Sequence, residues 1–94
     1  MYHETEKPLF VIYTSSSCGP CHILKPQIHR VLNESDGKAV GVEIDIEIDQ
    51  DIAKQAEVSG TPTVHLFKNK ELKKLWKGVK ARSEYKSALD LLVD

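Results

Sequence analysis

Ninety-four residues, 40% of them apolar, suffice for one hydrophobic core and leave nothing to bury in a second, so a single domain spanning 1–94 is expected. Thirteen basic residues against 14 acidic ones give a formal net charge of −1, which supplies no global field to draw in nucleic acid or an anionic membrane. No window is apolar for long enough to cross a bilayer, and the opening MYHETEKP lacks the basic start and hydrophobic stretch of an export signal, so the chain reads as cytoplasmic or organelle-internal.

Residues 1–7 are expected to be poorly ordered or to form an extra N-terminal segment. Leu9 to Tyr13 (LFVIY) is a run of β-formers without alternation, as in a strand covered on both faces. After Thr14 to Ser17 the period changes: Ile23, Leu24, Ile28, Val31 and Leu32 share a helical face, and Asn33 to Gly37 supplies the stop. Pro26 lies inside this helix and predicts a bend, since it cannot donate to the carbonyl of His22. Ala39 to Ile46 alternates as a second strand, with Val40, Val42, Ile44 and Ile46 on one face and Gly41, Glu43 and Asp45 on the other. A short helix follows, with Ile52, Ala53 and Ala56 inward, until Ser59-Gly60-Thr61-Pro62 breaks it. Thr63 to Phe67 and Glu71 to Trp76 then form an antiparallel hairpin about Asn69-Lys70, and Gly78 ends it. Tyr85, Ala88, Leu89 and Leu92 mark a final amphipathic helix, with Ser83 as its expected cap. The acidic run Glu43–Asp51 and the basic run Lys68–Lys80 read as solvated surface. The order β-α-β-α-β-β-α predicts an α/β fold: a central mixed four-stranded sheet with helices on both faces.

The two cysteines, Cys18 and Cys21, fall where a strand hands over to a helix. A CxxC pair is too closely spaced to staple a small secreted fold, and its position in a βαβ pattern is a redox signature. Residues at i and i+3 approach to a separation that a disulfide accepts, so the bond can open and close with little backbone movement. Cys18, at the helix start, meets unsatisfied N–H groups and the positive end of the macrodipole, which favour a thiolate and make it the attacking sulfur. Cys21, one turn deeper, would resolve the mixed disulfide. Pro20 suits the first turn, where a missing donor is no loss.

CGPC after a strand, Pro26 five residues beyond Cys21, GTPT at Gly60 to Thr63, and Gly78 together resemble the thioredoxin family over nearly the whole chain. Within it, YTSSSCGPC, VEIDIEID and SGTPTVHLFKNKEL are most similar to the thioredoxin domain fused to the NADPH-dependent thioredoxin reductase C of plants and cyanobacteria. The resemblance implies the minimal thioredoxin fold and a thiol-disulfide oxidoreductase that reduces protein disulfides and holds no bound cofactor. Its electrons would come from a partner or fused thioredoxin reductase, and it would act as a monomer, in the chloroplast stroma if it derives from a plant precursor. Pro62 would be the cis-proline beside the pair, Thr61 would offer its backbone to an extended substrate, and Gly19, Pro20, Gly78 and Val79 would complete a flat docking surface.

Two departures stand out. Ser17 occupies the place of the family's usual tryptophan in that surface, and Ile12 that of a buried aspartate which relays protons to the resolving cysteine. Glu43, aligned with a lysine usually beside that aspartate, is the substitute relay for Cys21 if desolvation raises its pKa.

Three other readings are open. Cys18 to His22 spells C-x-x-C-H, the attachment pattern of c-type haem, but no methionine other than Met1 is present as a second axial ligand. A metal or cluster module could use the cysteines with His22 or His29, although one CxxC is half a zinc site. A partner-binding domain could use the cysteines little. His3 and His65 carry no motif and default to surface or strand-face positions.

Overall fold

The computed structural model describes residues 7–58 and 60–92, so the expectation for the N-terminal segment, Lys7 apart, and that for Ser59 lie outside the described residues. Seven elements follow in order: β1 (Leu9–Thr14), α1 (Gly19–Glu34), β2 (Val40–Asp45), α2 (Gln50–Gln55), β3 (Thr63–Lys68), β4 (Glu71–Lys77) and α3 (Arg82–Asp90). The sheet order is β2-β1-β3-β4; β1 runs parallel to β2 and antiparallel to β3, and β3 pairs antiparallel with β4. This is the expected four-stranded mixed sheet. A β-bulge lies between Leu66 and Phe67.

The unalternating pattern of β1 has a simple cause: it is flanked by strands and covered above and below, and all six of its residues are buried. One face packs Phe10, Ile12, Val64, Leu66 and Trp76 against Leu24, Ile28 and Val31 of α1 and Tyr85, Ala88 and Leu89 of α3. Phe10, Trp76 and Tyr85 form an aromatic knot, with ring centroids 6.4 Å apart for Phe10–Trp76 and 4.9 Å for Trp76–Tyr85. The other face packs Leu9, Val11, Tyr13 and Ile44 against α2, through Ile52 and Ala56. The edge strands are far more exposed than β1, and in β4 only Trp76 is buried.

Helix α1 continues through Pro26 and ends where Asp36 and Gly37 take positive φ, 55° and 80°. Its buried line is Cys21, Leu24, Ile28 and Val31, whereas Ile23 is 62% exposed. The expectation for Ile23 is thereby corrected: one residue is 100° of helical turn, enough to carry it off the line through Leu24. At the hairpin, Asn69 and Lys70 both take positive φ, 52° and 68°, as the central residues of a type I′ turn must. The cap of α3 is also corrected. The N-cap is Ala81, with no side-chain cap bond, and Ser83 lies inside the helix. The Tyr85 hydroxyl accepts from the Lys80 N–H at 3.2 Å, and the Glu84 N–H donates to the Ala81 carbonyl at 3.0 Å; these contacts fix the helix entry in place of a serine. Among the described residues no helix is long and apolar enough to cross a membrane.

Candidate functional site

The strand directions decide what meets at the site. The carboxyl ends of β1, β2 and β4 and the amino end of β3 lie along one edge of the sheet, because β1 and β2 are parallel while β3 opposes both β1 and β4. The segments leaving those ends, around Ser15–Cys18, Ile46–Asp49, Gly60–Pro62 and Gly78, therefore converge although they are far apart in sequence.

Cys18 is the N-cap of α1, in extended conformation, and its Sγ accepts from the Cys21 N–H at 3.2 Å. The sulfur thus satisfies one of the helix's free donors, in the place where the macrodipole favours negative charge. No acidic side chain stands in the first turn to oppose that field. Cys18 and Cys21 are joined as a disulfide with their Cα atoms 5.4 Å apart. In this oxidised form both are largely covered, Cys18 at 6% exposure and Cys21 at 1%, so the order of depth read from the sequence holds. Gly19 and Pro20 are exposed in the first turn.

The Thr61–Pro62 peptide bond is cis. Pro62 is buried, and its carbonyl accepts from the Gly78 N–H at 2.9 Å, which ties the exit of β4 to this loop. Gly78 has φ +82°, a conformation that L side chains rarely adopt, so the strand stop there favours glycine. Val79, just beyond, is half-buried and packs against the core of the α1–α3 face. Thr61 faces the cysteine loop: its Oγ1 is 3.5 Å from Ser15 Oγ. A cleft of about 210 Å³ lies beside this loop, lined by Val58, Thr61, Pro62, His65, Lys77 and Gly78 among others.

Glu43 is not where a relay needs it. It pairs in register with Ile12, as the alignment implies, but its side chain is 40% exposed. Its carboxylate is 3.0 Å from His29 Nε2 and 3.9 Å from Lys25 Nζ. β2 is an edge strand, so the desolvation on which the relay reading depended is missing. Ile12 is buried in the apolar core.

Two features escaped the reading of the sequence. Glu47, counted there as solvated surface, accepts from Ser16 Oγ at 2.8 Å and from Ser17 Oγ at 3.4 Å, directly before Cys18. His65 sits on the face of β3 at 3% exposure, between the rings of Tyr13 (4.9 Å) and Phe67 (5.9 Å), and neither ring nitrogen has a hydrogen-bond partner. Burial holds its pKa below the ordinary imidazole value. No local pattern announces either residue, because both depend on through-space neighbours. Among the described residues no group of three or more His, Cys, Asp or Glu side chains is placed to hold a metal ion.

Comparison with known proteins agrees with this geometry. The Thioredoxin family model matches residues 2–90. The chain is 46% identical over 90 residues to NADPH-dependent thioredoxin reductase 3 of Arabidopsis thaliana, a match covering 96% of this chain and 17% of that protein. With the mitochondrial thioredoxin of Bos taurus it shares 34% identity over 90 residues, 96% of this chain and 54% of the relative. It therefore spans about half the length of the second and a small part of the first. A solved thioredoxin variant from Halobacterium salinarum shares the fold, with a TM-score of 0.86 over 95% of this chain and 77% of that one at 24% identity. A disulfide-linked cysteine pair on the tip of α1, a cis-proline loop beside it and a family match along nearly the full chain converge on one assignment: this chain belongs to the thioredoxin family.

Proposed function

We propose that the chain reduces disulfide bonds of other proteins by dithiol-disulfide exchange through Cys18 and Cys21. The observation that carries this reading is the Cys18 sulfur at the N-cap of α1, hydrogen-bonded to the helix and paired with a more deeply buried cysteine one turn away. In the reduced form the Cys18 thiolate attacks one sulfur of the substrate disulfide. A mixed disulfide forms, and the other substrate sulfur leaves as a thiolate that takes up a proton. Cys21, deprotonated, then attacks Cys18, releasing the second substrate thiol and restoring the Cys18–Cys21 bond. Two electrons pass from this chain to the substrate, and the two protons of the dithiol end on the substrate thiols.

Ser17, Gly19, Pro20, Thr61, Pro62, Gly78 and Val79 supply the docking surface, with the Thr61 backbone alongside an extended substrate segment. The chain acts as a monomer without a bound cofactor. Its dithiol is regenerated by a reductase of the NADPH-dependent thioredoxin type, separate or fused, in keeping with the name of the Arabidopsis relative.

The test uses insulin as the disulfide substrate and a Cys21→Ser variant as the trap. Wild type with a chemical reductant should accelerate insulin reduction, Cys18→Ser should abolish that acceleration, and Cys21→Ser should accumulate a mixed disulfide through Cys18. Absence of any trapped species, or full activity in a double Cys→Ser variant, would overturn the reading in favour of a binding module.

A further inference from the structure

We propose that Glu47 is a positioning residue for the exchange reaction: its carboxylate clamps the loop that presents Cys18 and sets a negative charge beside the amino end of α1. This inference rests on the thiol-disulfide reading above. Only Ser15, Ser16 and Ser17 separate the end of β1 from Cys18, and the orientation of the nucleophile depends on how that short loop is held. It is held on two sides. Toward the cis-proline loop, Ser15 Oγ lies 3.5 Å from Thr61 Oγ1. Toward β2, Ser16 Oγ donates to Glu47 Oε2 at 2.8 Å and Ser17 Oγ to Glu47 Oε1 at 3.4 Å, one carboxylate oxygen for each serine.

The clamp is itself anchored. The Glu47 N–H donates to Asp45 Oδ1 at 2.8 Å, and the Glu47 carbonyl accepts from Gln50 Nε2 at 3.1 Å. Just ahead of it, the Ile46 N–H donates to the Thr14 carbonyl at 2.9 Å, so the turn after β2 and the start of the cysteine loop share one backbone contact. Hydrogen bonds to an ionised acceptor are about twice as strong as neutral ones, so a carboxylate holds two hydroxyls better than an amide could.

Charge follows from the same geometry. Among the described residues Glu47 has no ion-pair partner, and its nearest acidic neighbours in sequence, Asp45 and Asp49, add to its sign. His22 is the one titratable side chain besides the cysteines in the first turn of α1. A carboxylate here works against the helix field on the Cys18 thiolate and so raises the Cys18 pKa relative to an uncharged residue. A more basic thiolate in turn makes the dithiol the stronger reductant.

Three variants separate clamp from charge: Glu47→Gln, Glu47→Ala and the double Ser16→Ala/Ser17→Ala. Each is assayed for its second-order rate with insulin and for the pH midpoint of Cys18 alkylation by iodoacetamide. Glu47→Ala and the double serine variant should slow exchange by roughly threefold to tenfold, less than a buried charge-assisted bond would give because Ser16, Ser17 and Glu47 are all exposed. Glu47→Gln and Glu47→Ala should move the alkylation midpoint to lower pH, while the double serine variant, which keeps the charge, should leave it near that of wild type. A merely structural role would not divide the variants in this way. If Glu47→Ala does not fold, the other two decide on the same readouts. Wild-type rates and midpoints throughout the series, with active wild type, would overturn the proposal alone; a wild-type chain inactive on insulin would instead overturn the functional reading beneath it.

Discussion

The two faces of the sheet are built to different standards. The α1–α3 face is closed and lined by aliphatic and aromatic side chains: Phe10, Trp76 and Tyr85 interlock, two helices cover it, and even Ile12, where the family places a carboxylate, is hydrocarbon. The α2 face has one short helix, leaves Leu72 and Leu75 of β4 nearly half exposed, and buries an imidazole without hydrogen-bond partners. The closed face anchors the helix that carries the cysteines. The thinner one borders the Pro62 loop, where a client is proposed to sit. Stability is thus concentrated behind the cysteine pair, and tolerance for polar or uncovered groups lies behind the Pro62 loop.

The sharpest way to break this contrast is truncation on each side. Phe10→Ala should cost about 3–5 kcal/mol, a large share of a small domain's stability, whereas Leu75→Ala, 45% exposed on the other face, should cost less than about 1 kcal/mol. Urea unfolding of both variants measures this, and equal costs would show the two faces to be packed alike.

A smaller effect is expected at His65. Replacing an unpartnered buried imidazole by leucine should raise stability at neutral pH by about 1 kcal/mol. Because burial lowers the folded-state pKa of His65 below 6.5, the unfolded chain binds the proton more readily. Stability is therefore lost as pH falls through the unfolded value toward the folded one, by at most about 1.4 kcal/mol per pH unit, and His65→Leu should remove that slope. Unfolding midpoints at pH 7.5 and 5.5 decide the matter; an unchanged slope in His65→Leu would place the acid sensitivity elsewhere.

The smallest change is predicted at the rim of the closed face. Glu43→Gln removes an exposed pair with His29 and Lys25 and should alter neither the insulin reduction rate nor its pH profile by more than about twofold. A larger change in the pH profile would restore Glu43 as a proton relay.

What the sequence made legible were the features that repeat along it. The unbroken run of β1, the stripe of Leu24, Ile28 and Val31, the Asn69-Lys70 turn and the cysteine pair at a strand-helix junction each carry a local signal. Features set by distant partners were not legible in this way. Alternation in β2 gives two faces, but only the sheet order says that Glu43 is on an edge strand with solvent beside it. Serine near the start of α3 looks like a cap until the Tyr85 hydroxyl is found closing that entry. Glu47 and His65 are ordinary members of an acidic run and a strand until folding brings Ser16 to one and Tyr13 to the other.

The tie between the Gly78 amide and the Pro62 carbonyl has a wider meaning. The sulfurs come from the first half of the polypeptide and the shelf beside them from the second, and the halves are joined in the sheet by the pairing of β1 with β3. On the proposed function, a half-assembled molecule would carry the thiols with nowhere for a client to rest. Turnover on a protein substrate, unlike simple thiol titration, therefore doubles as an assay of whether the whole chain has come together.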